Sequence, residues 1–370
     1  MRCSVFEEDE EKPGWKAGRS VAYCEACFRE KMEKEAENEV SGRESEASTS
    51  ISVSSRSSGG KSLQNKAKYP RKRKMIFRGM IWFAWTLAVA LASGKGANWK
   101  YGETGYGTDD WSKVSPHCSE SAQSPINIDR TTVRKNPSLK GLSFTCDNKD
   151  GSVSGKLVNN GHAPTLKIIK SRGTATLSGG PLGNSLYKLE QLHFHFGCEN
   201  NKGSEHIING HAYSGEIHFV TYNTKYGSFS QAMDKPDGLS VIGVFFETEQ
   251  ESNEDRDEDE PSMFVRQLFG KMWKVKLPGS ETSVSSMPLF KLVPLLADLS
   301  KASFYSYKGS LTTPPCYQSV NWIVMKSPVH ASKYCMTALR HLRDHEEHSI
   351  CNNFRPVQPL NDRPVSVYSD

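Results

Sequence analysis

From Asn98 onward the chain is punctuated by short apolar, β-branched and aromatic runs separated by Gly, Pro, Asn and Ser. Lys156-Leu157-Val158, Thr165-Leu166-Lys167-Ile168-Ile169, Glu216 to Tyr222, Leu239 to Phe246 and Val320-Asn321-Trp322-Ile323-Val324-Met325 are such runs. Each has strand length, strand-forming residues and turn formers at its ends. Helical signals are few: Phe264 to Trp273, and Pro328 to Asp344. Many strands with short peripheral helices predict an α+β, mainly β fold. The expected architecture is a single domain around a large twisted, mostly antiparallel central sheet, not a βαβ series. No internal repeat and no glycine-rich phosphate loop breaks the pattern.

Upstream the pattern is absent. Residues 1–40 alternate charge with few large apolar side chains, and 41–62 are rich in Ser, Gly and Glu. Such composition buries too little surface to fold, so residues 1–74 are expected to be a disordered extension. The apolar run Ile81–Ala92 is 12 residues long and follows Arg71-Lys72-Arg73-Lys74 and Arg78. A membrane-spanning helix needs ~20 residues. A basic flank, a short apolar core and Ala90-Leu91-Ala92 before Ser93 match a signal peptide at 75–92. Translation would then start at Met75 or Met80, with 1–74 an alternative-start or gene-model product. Residues 93–370 would be secreted. An uncleaved signal-anchor tethering the domain to a membrane is the alternative.

Charge is placed unevenly. Residues 1–92 hold 17 Lys/Arg against 13 Asp/Glu, and the remainder 30 against 29. The folding part is nearly neutral, which gives no footprint for nucleic acid. The acidic loop 247–260 reads as a solvated loop; low-affinity Ca²⁺ is the alternative, though the loop lacks the spacing and glycine of an EF-hand. Cys24 and Cys27 form a lone C-x-x-C with no second pair, which reads as incidental. Six cysteines follow the cleavage point: Cys118, Cys146, Cys198, Cys316, Cys335 and Cys351. Their even number suits bridges in an oxidising compartment, and their pairing stays open. No Asn-x-Ser/Thr sequon occurs, and Val365–Asp370 carries no apolar tail for a lipid anchor. Oligomeric state is left open.

The chemistry lies in three histidines. Residues i and i+2 of a strand share a face. Gln191, His193 and His195 therefore align, as do Glu216 and His218. Three imidazoles from two neighbouring strands leave one zinc position open, the layout of catalytic rather than structural zinc. Gln191 and Glu216 sit where each can accept the second N–H of a ligand, His193 and His218 respectively. A backbone carbonyl is the expected partner of His195. His341, His345 and His348 form a second cluster. The i,i+4 spacing of His341 and His345 resembles a zincin helix, but the required Glu is missing, so it reads as a solvated helix end.

At this point a resemblance becomes specific. Gln191 to Asn223, with Gly203-Ser204-Glu205-His206, resembles the signature of the alpha-class carbonic anhydrases, in particular their secreted, disulfide-containing animal type. Four further blocks are similar to that family in the same order: Gln123-Ser124-Pro125-Ile126-Asn127-Ile128, Asn159-Asn160-Gly161-His162-Ala163, Tyr307 to Pro315, and Asn353 to Pro359. The likeness runs from about Trp99 to about Pro364. It departs at Leu192 and Phe196, where Phe and Trp are commoner.

The resemblance implies a zinc enzyme that hydrates CO₂ reversibly to bicarbonate and a proton, by attack of zinc-bound hydroxide. In it Thr312 matches the threonine that orients the nucleophile, with Glu205 receiving its proton. Thr313 would contact bicarbonate or a sulfonamide-type inhibitor. Val220, Val241, Leu311, Val320 and Trp322 match the apolar CO₂ wall, which alone would read as ordinary core. His162 matches the proton shuttle, suited by an unperturbed pKa of ~6.5. Tyr101, Asn160 and Thr165 match positions that organise the proton path, Thr165 standing where asparagine is common. Cys118 and Cys316 match the family's disulfide, worth on the order of 4–5 kcal/mol in the chain-entropy model. The competing function is a carbonic-anhydrase-like matrix or mineral-associated binding protein without catalysis. The presence of all three histidines, Glu205 and Thr312 disfavours it.

Overall fold

The computed structural model describes residues 99–102, 107–248 and 263–369. The expected extension, the signal peptide and all of the acidic loop beyond Thr248 lie outside them. Among the described residues no helix is long and apolar enough to cross a membrane.

Strands carry the fold. In chain order they are β1 (Asn127–Ile128), β2 (Arg134–Lys135), β3 (Leu142–Cys146), β4 (Ser152–Asn159), β5 (Pro164–Ile168), β6 (Ala175–Gly179), β7 (Tyr187–Phe196) and β8 (Ile207–Ile208). There follow β9 (Gly215–Asn223), β10 (Leu239–Glu247), β11 (Glu281–Pro288), β12 (Phe304–Gly309), β13 (Val320–Met325), β14 (Val329–His330) and β15 (Ser366–Tyr368). Thirteen of them make one sheet with the path β11-β4-β5-β7-β9-β10-β13-β12-β15-β2; β3 and β6 join beside β7, and β14 beside β10. Most pairs are antiparallel. β10 runs parallel to β13 and β14, and β15 to β2.

The alternation within the central strands divides two cores. Leu192, Phe194, Phe219, Ile242 and Ile323 point to one face and pack with the helices α1 (Met263–Met272) and α2 (Lys333–Arg340). Val220, Val241, Phe245, Val320 and Trp322 lie in the core of the other face. Phe219 is fully buried, worth roughly 1.5–3 kcal/mol. With both faces covered, β9 is buried along its whole length, polar Glu216 and His218 included.

The helix expected at Pro328–Asp344 is shorter than its pattern suggested. Val329 and His330 pair instead with Phe246 and Glu247 at the end of β10, and the helix runs only over Lys333–Arg340. Open hydrogen-bonding positions on the parallel neighbour outcompete an isolated first turn. His345 and His348, expected at a helix end, are therefore on an exposed turn.

Candidate active site

Strand register builds the centre. His193 of β7 lies opposite His218 of β9, which lies opposite Gly243 of β10. The neighbouring row runs Gln191, Val220, Val241 and Trp322 across β7, β9, β10 and β13. A histidine row thus borders an apolar row on one face. Gly243 is needed there, because a Cβ would stand 2.5 Å from Glu216 Oε1.

Each of the three rings has one nitrogen committed. His193 Nδ1–H donates to Gln191 Oε1 at 2.9 Å. His195 Nδ1–H donates to the Asn353 carbonyl at 2.6 Å. His218 Nε2–H donates to Glu216 Oε1 at 2.9 Å. The other nitrogens then bear lone pairs, and donor atoms of the three rings converge within 4.8 Å. His195 Nε2 and His218 Nδ1 face each other at 3.1 Å. Two lone pairs so placed repel unless a cation lies between them. Burial first, and then the neighbouring imidazoles, hold His193 well below the ordinary histidine value. Burial lowers His195 too, against an upward pull from Glu205. Neutral imidazole is the form that binds metal. The donor set therefore fits zinc, three nitrogens with a fourth position open.

Beside the rings stands a buried carboxylate with one free oxygen. Glu205 Oε1 accepts from the Arg355 backbone N–H at 2.9 Å. Its Oε2 is buried with no hydrogen-bond partner, 3.4 Å from His195 Nε2 and 3.8 Å from His218 Nδ1. No hydrogen bond joins it to Thr312, which is itself buried. Glu216 is satisfied more fully: its Oε2 accepts from the backbone N–H of Glu205 and His206, and its Oε1 from His206 Nδ1–H as well as His218. Burial would raise its carboxyl, but His206 and His218 together hold it far below the usual carboxylate range.

A cavity of about 340 Å³ opens above the rings, lined by His193, His195, Gln191, Thr165, Asn160 and Thr313 among others. Trp99, Tyr101 and His162 border it as well. His162 stacks on Trp99 with centroids 3.8 Å apart. Asn160 Oδ1 accepts from the backbone N–H of His162 and Ala163, and its Nδ2 donates to Thr165 Oγ1 at 3.3 Å. Val220, Val241, Val320 and Trp322 are buried together, with Leu311 packed against them. Cys118 and Cys316 are bonded, and so are Cys198 and Cys351. The second bridge settles a pairing that spacing left open; Cys146 and Cys335 are unbridged.

Several pairings at the site carry no signal in local sequence. Asn353 not only accepts from His195; its Nδ2 donates to the carbonyls of His162 and Phe194, and its Oδ1 accepts from the Phe196 N–H. The buried Arg355 guanidinium donates to Gln123 Oε1 and to the carbonyls of Ser124 and Cys118. His206 Nε2 lies 2.7 Å from the Tyr307 hydroxyl, itself 2.8 Å from Ser124 Oγ. All stand inside or beside the quoted blocks, which marked them without assigning partners.

Fold and site together define a chain with a three-histidine cluster that could hold a metal ion, set in one face of a large mixed sheet. The family model of eukaryotic-type carbonic anhydrase matches residues 106–369. Human carbonic anhydrase 7 is 36% identical over 272 residues, covering 71% of this chain and 96% of that protein. Human carbonic anhydrase 6 is 34% identical over 273 residues, covering 73% and 82%. The chain belongs to the eukaryotic-type carbonic anhydrase family.

Proposed function

We propose that this chain is a zinc enzyme that hydrates CO₂ reversibly to bicarbonate and a proton. The observation that carries the reading is the convergence of three lone-pair nitrogens from His193, His195 and His218, each ring oriented by a bond from its other nitrogen. Zn²⁺ held there by His193, His195 and His218 would lower the pKa of its water to ~7, the carbonic anhydrases themselves being the reference case for that value.

The chain's own residues do the rest. Gln191, the Asn353 carbonyl and Glu216 each accept one ring N–H and so fix the tautomer and aim of the three rings. Glu205 Oε2 is buried and without a partner, and it is the acceptor to which the Thr312 hydroxyl would donate once the site is loaded, a bond not formed in this structure. The Thr312 oxygen then presents a lone pair to the nucleophile, since a hydroxyl donates once and accepts twice. Val220, Val241, Leu311, Val320 and Trp322 offer CO₂ an apolar wall. Thr313, on the cavity lining, contacts bicarbonate and sulfonamide-type inhibitors. His162 takes the proton outward, with Tyr101, Asn160 and Thr165 ordering the water between. Two disulfides support residues 93–370 being exported, since such bonds persist in oxidising compartments.

Stopped-flow CO₂ hydration by the purified chain, before and after zinc chelation, tests the reading. Activity that disappears with the chelator and returns with Zn²⁺ is expected. A folded chain with no chelator-sensitive activity would falsify it and leave the matrix or mineral-binding alternative.

A further inference from the structure

His162 borders a second cavity as well. This one, of about 320 Å³, shares Trp99, Tyr101 and His162 with the first and is otherwise lined by Lys100, Gly161, Asp344, His345, Glu346 and a few neighbours. The His162 and His345 rings lie 6.5 Å apart between centroids, at 72°. His345 is docked on the turn that carries His162: its Nε2 fills the space a Cβ on Gly161 would occupy, and Gly161 has φ +85°. The turn bearing His345 is itself built. Asp344 Oδ1 accepts from the N–H of Glu346 and of His348, both at 2.9 Å. Glu346 is paired with Lys100 at 3.0 Å. His345 itself is exposed to solvent.

We propose that His345 is a second proton-carrying station, receiving the proton from His162 and releasing it to solvent. This rests on the reading of His162 as the inner carrier. No hydrogen bond joins the two rings directly, and the cavity both line has room for a bridging water. The His162 imidazolium gives an N–H proton to that water, which gives one of its own to a His345 nitrogen. His162 returns to neutral, and a buffer base removes the proton from His345. The charged groups around this route are Asp344, Glu346, Lys100 and His348, with Tyr101 on the shared wall. Burial, and next His345, push His162 down to about 4, against a smaller upward pull from Asp344. A proton on such a ring is transient and needs a nearby base to take it on.

The test compares the full chain with H345Q, H162A and the double variant in CO₂ hydration across a buffer series, with 4-methylimidazole as rescue. In weak buffer H345Q is expected to lower kcat several-fold, to move kcat/KM much less, and to recover with imidazole. In the H162A background H345Q should add little. Unchanged kcat for H345Q in weak buffer overturns the proposal, and so does an equal loss at every buffer strength, which would mark a structural role. Both outcomes leave the CO₂-hydration reading intact. A wild-type chain without zinc-dependent hydration would overturn that reading instead.

Discussion

Two groups of histidines stand around adjoining cavities, and the fold treats them in opposite ways. His193, His195 and His218 project from central strands, nearly or wholly inside the protein, each with one nitrogen donating to a fixed acceptor. His162 and His345 project from turns, one stacked on Trp99 and the other exposed. The first arrangement fixes charge and direction. The second leaves rings that can change charge and reach water. A metal ligand needs the former and a proton carrier the latter. On the proposed function, the strands would hold the metal and the turns would pass the proton.

The largest effect is expected at a covalent link that lies outside both histidine groups. Cys118–Cys316 packs against Trp111, with Trp99 and Tyr101 beside it, and ties that segment to the loop carrying Thr312 and Thr313. It spans 198 residues, so the chain-entropy model puts its contribution at about 5 kcal/mol. A Cys118→Ser, Cys316→Ser variant should lose most of that in denaturant unfolding. A loss below ~1 kcal/mol would show that the Trp111 segment and the Thr312 loop hold together without the bridge.

Within the metal region, Glu216→Gln should cost roughly 10- to 100-fold in zinc affinity, read by competition with a chelator. The amide keeps the shape but weakens the acceptor for His218 and the pairing with His206. Affinity equal to wild type would mean that His218 is aimed by the strand alone.

The smallest effect belongs to the turns. His162 is held at about 4, below its unfolded value of ~6.5. The folded state then binds fewer protons there than the unfolded state. Its contribution to stability is complete above ~6.5 and is lost as pH falls toward 4. The unfolding temperature should drop more steeply over that window in wild type than in His162→Ala. Parallel profiles would show that the ring is not held in a desolvated setting.

Much of the fold was legible because its signals are local. Val320–Met325 was marked as a strand by its branched and aromatic residues alone, and it is one. The i,i+2 rule placed His193 and His195 on one face without any knowledge of partners. The helix beginning at Pro328 was misjudged because its first residues have a better offer from β10 than their own periodicity makes. The same limit applies to His345, whose surroundings depend on a turn docking against Gly161. The acceptor for His195 could be named only as some carbonyl, since Asn353 lies 158 residues away.

Which residues share a face, which blocks mark the family and how many cysteines are available can be read from the chain alone, because a strand's period and a residue's chemistry do not depend on what folds against them. That Cys198 meets Cys351, that Asn353 holds both His195 and the turn of His162, and that one histidine turn rests on another emerge only when the chain is folded. Those are contacts between segments far apart in the chain. They are selected by how whole faces pack and by which buried polar atoms must be satisfied, and neither condition is written in any local stretch.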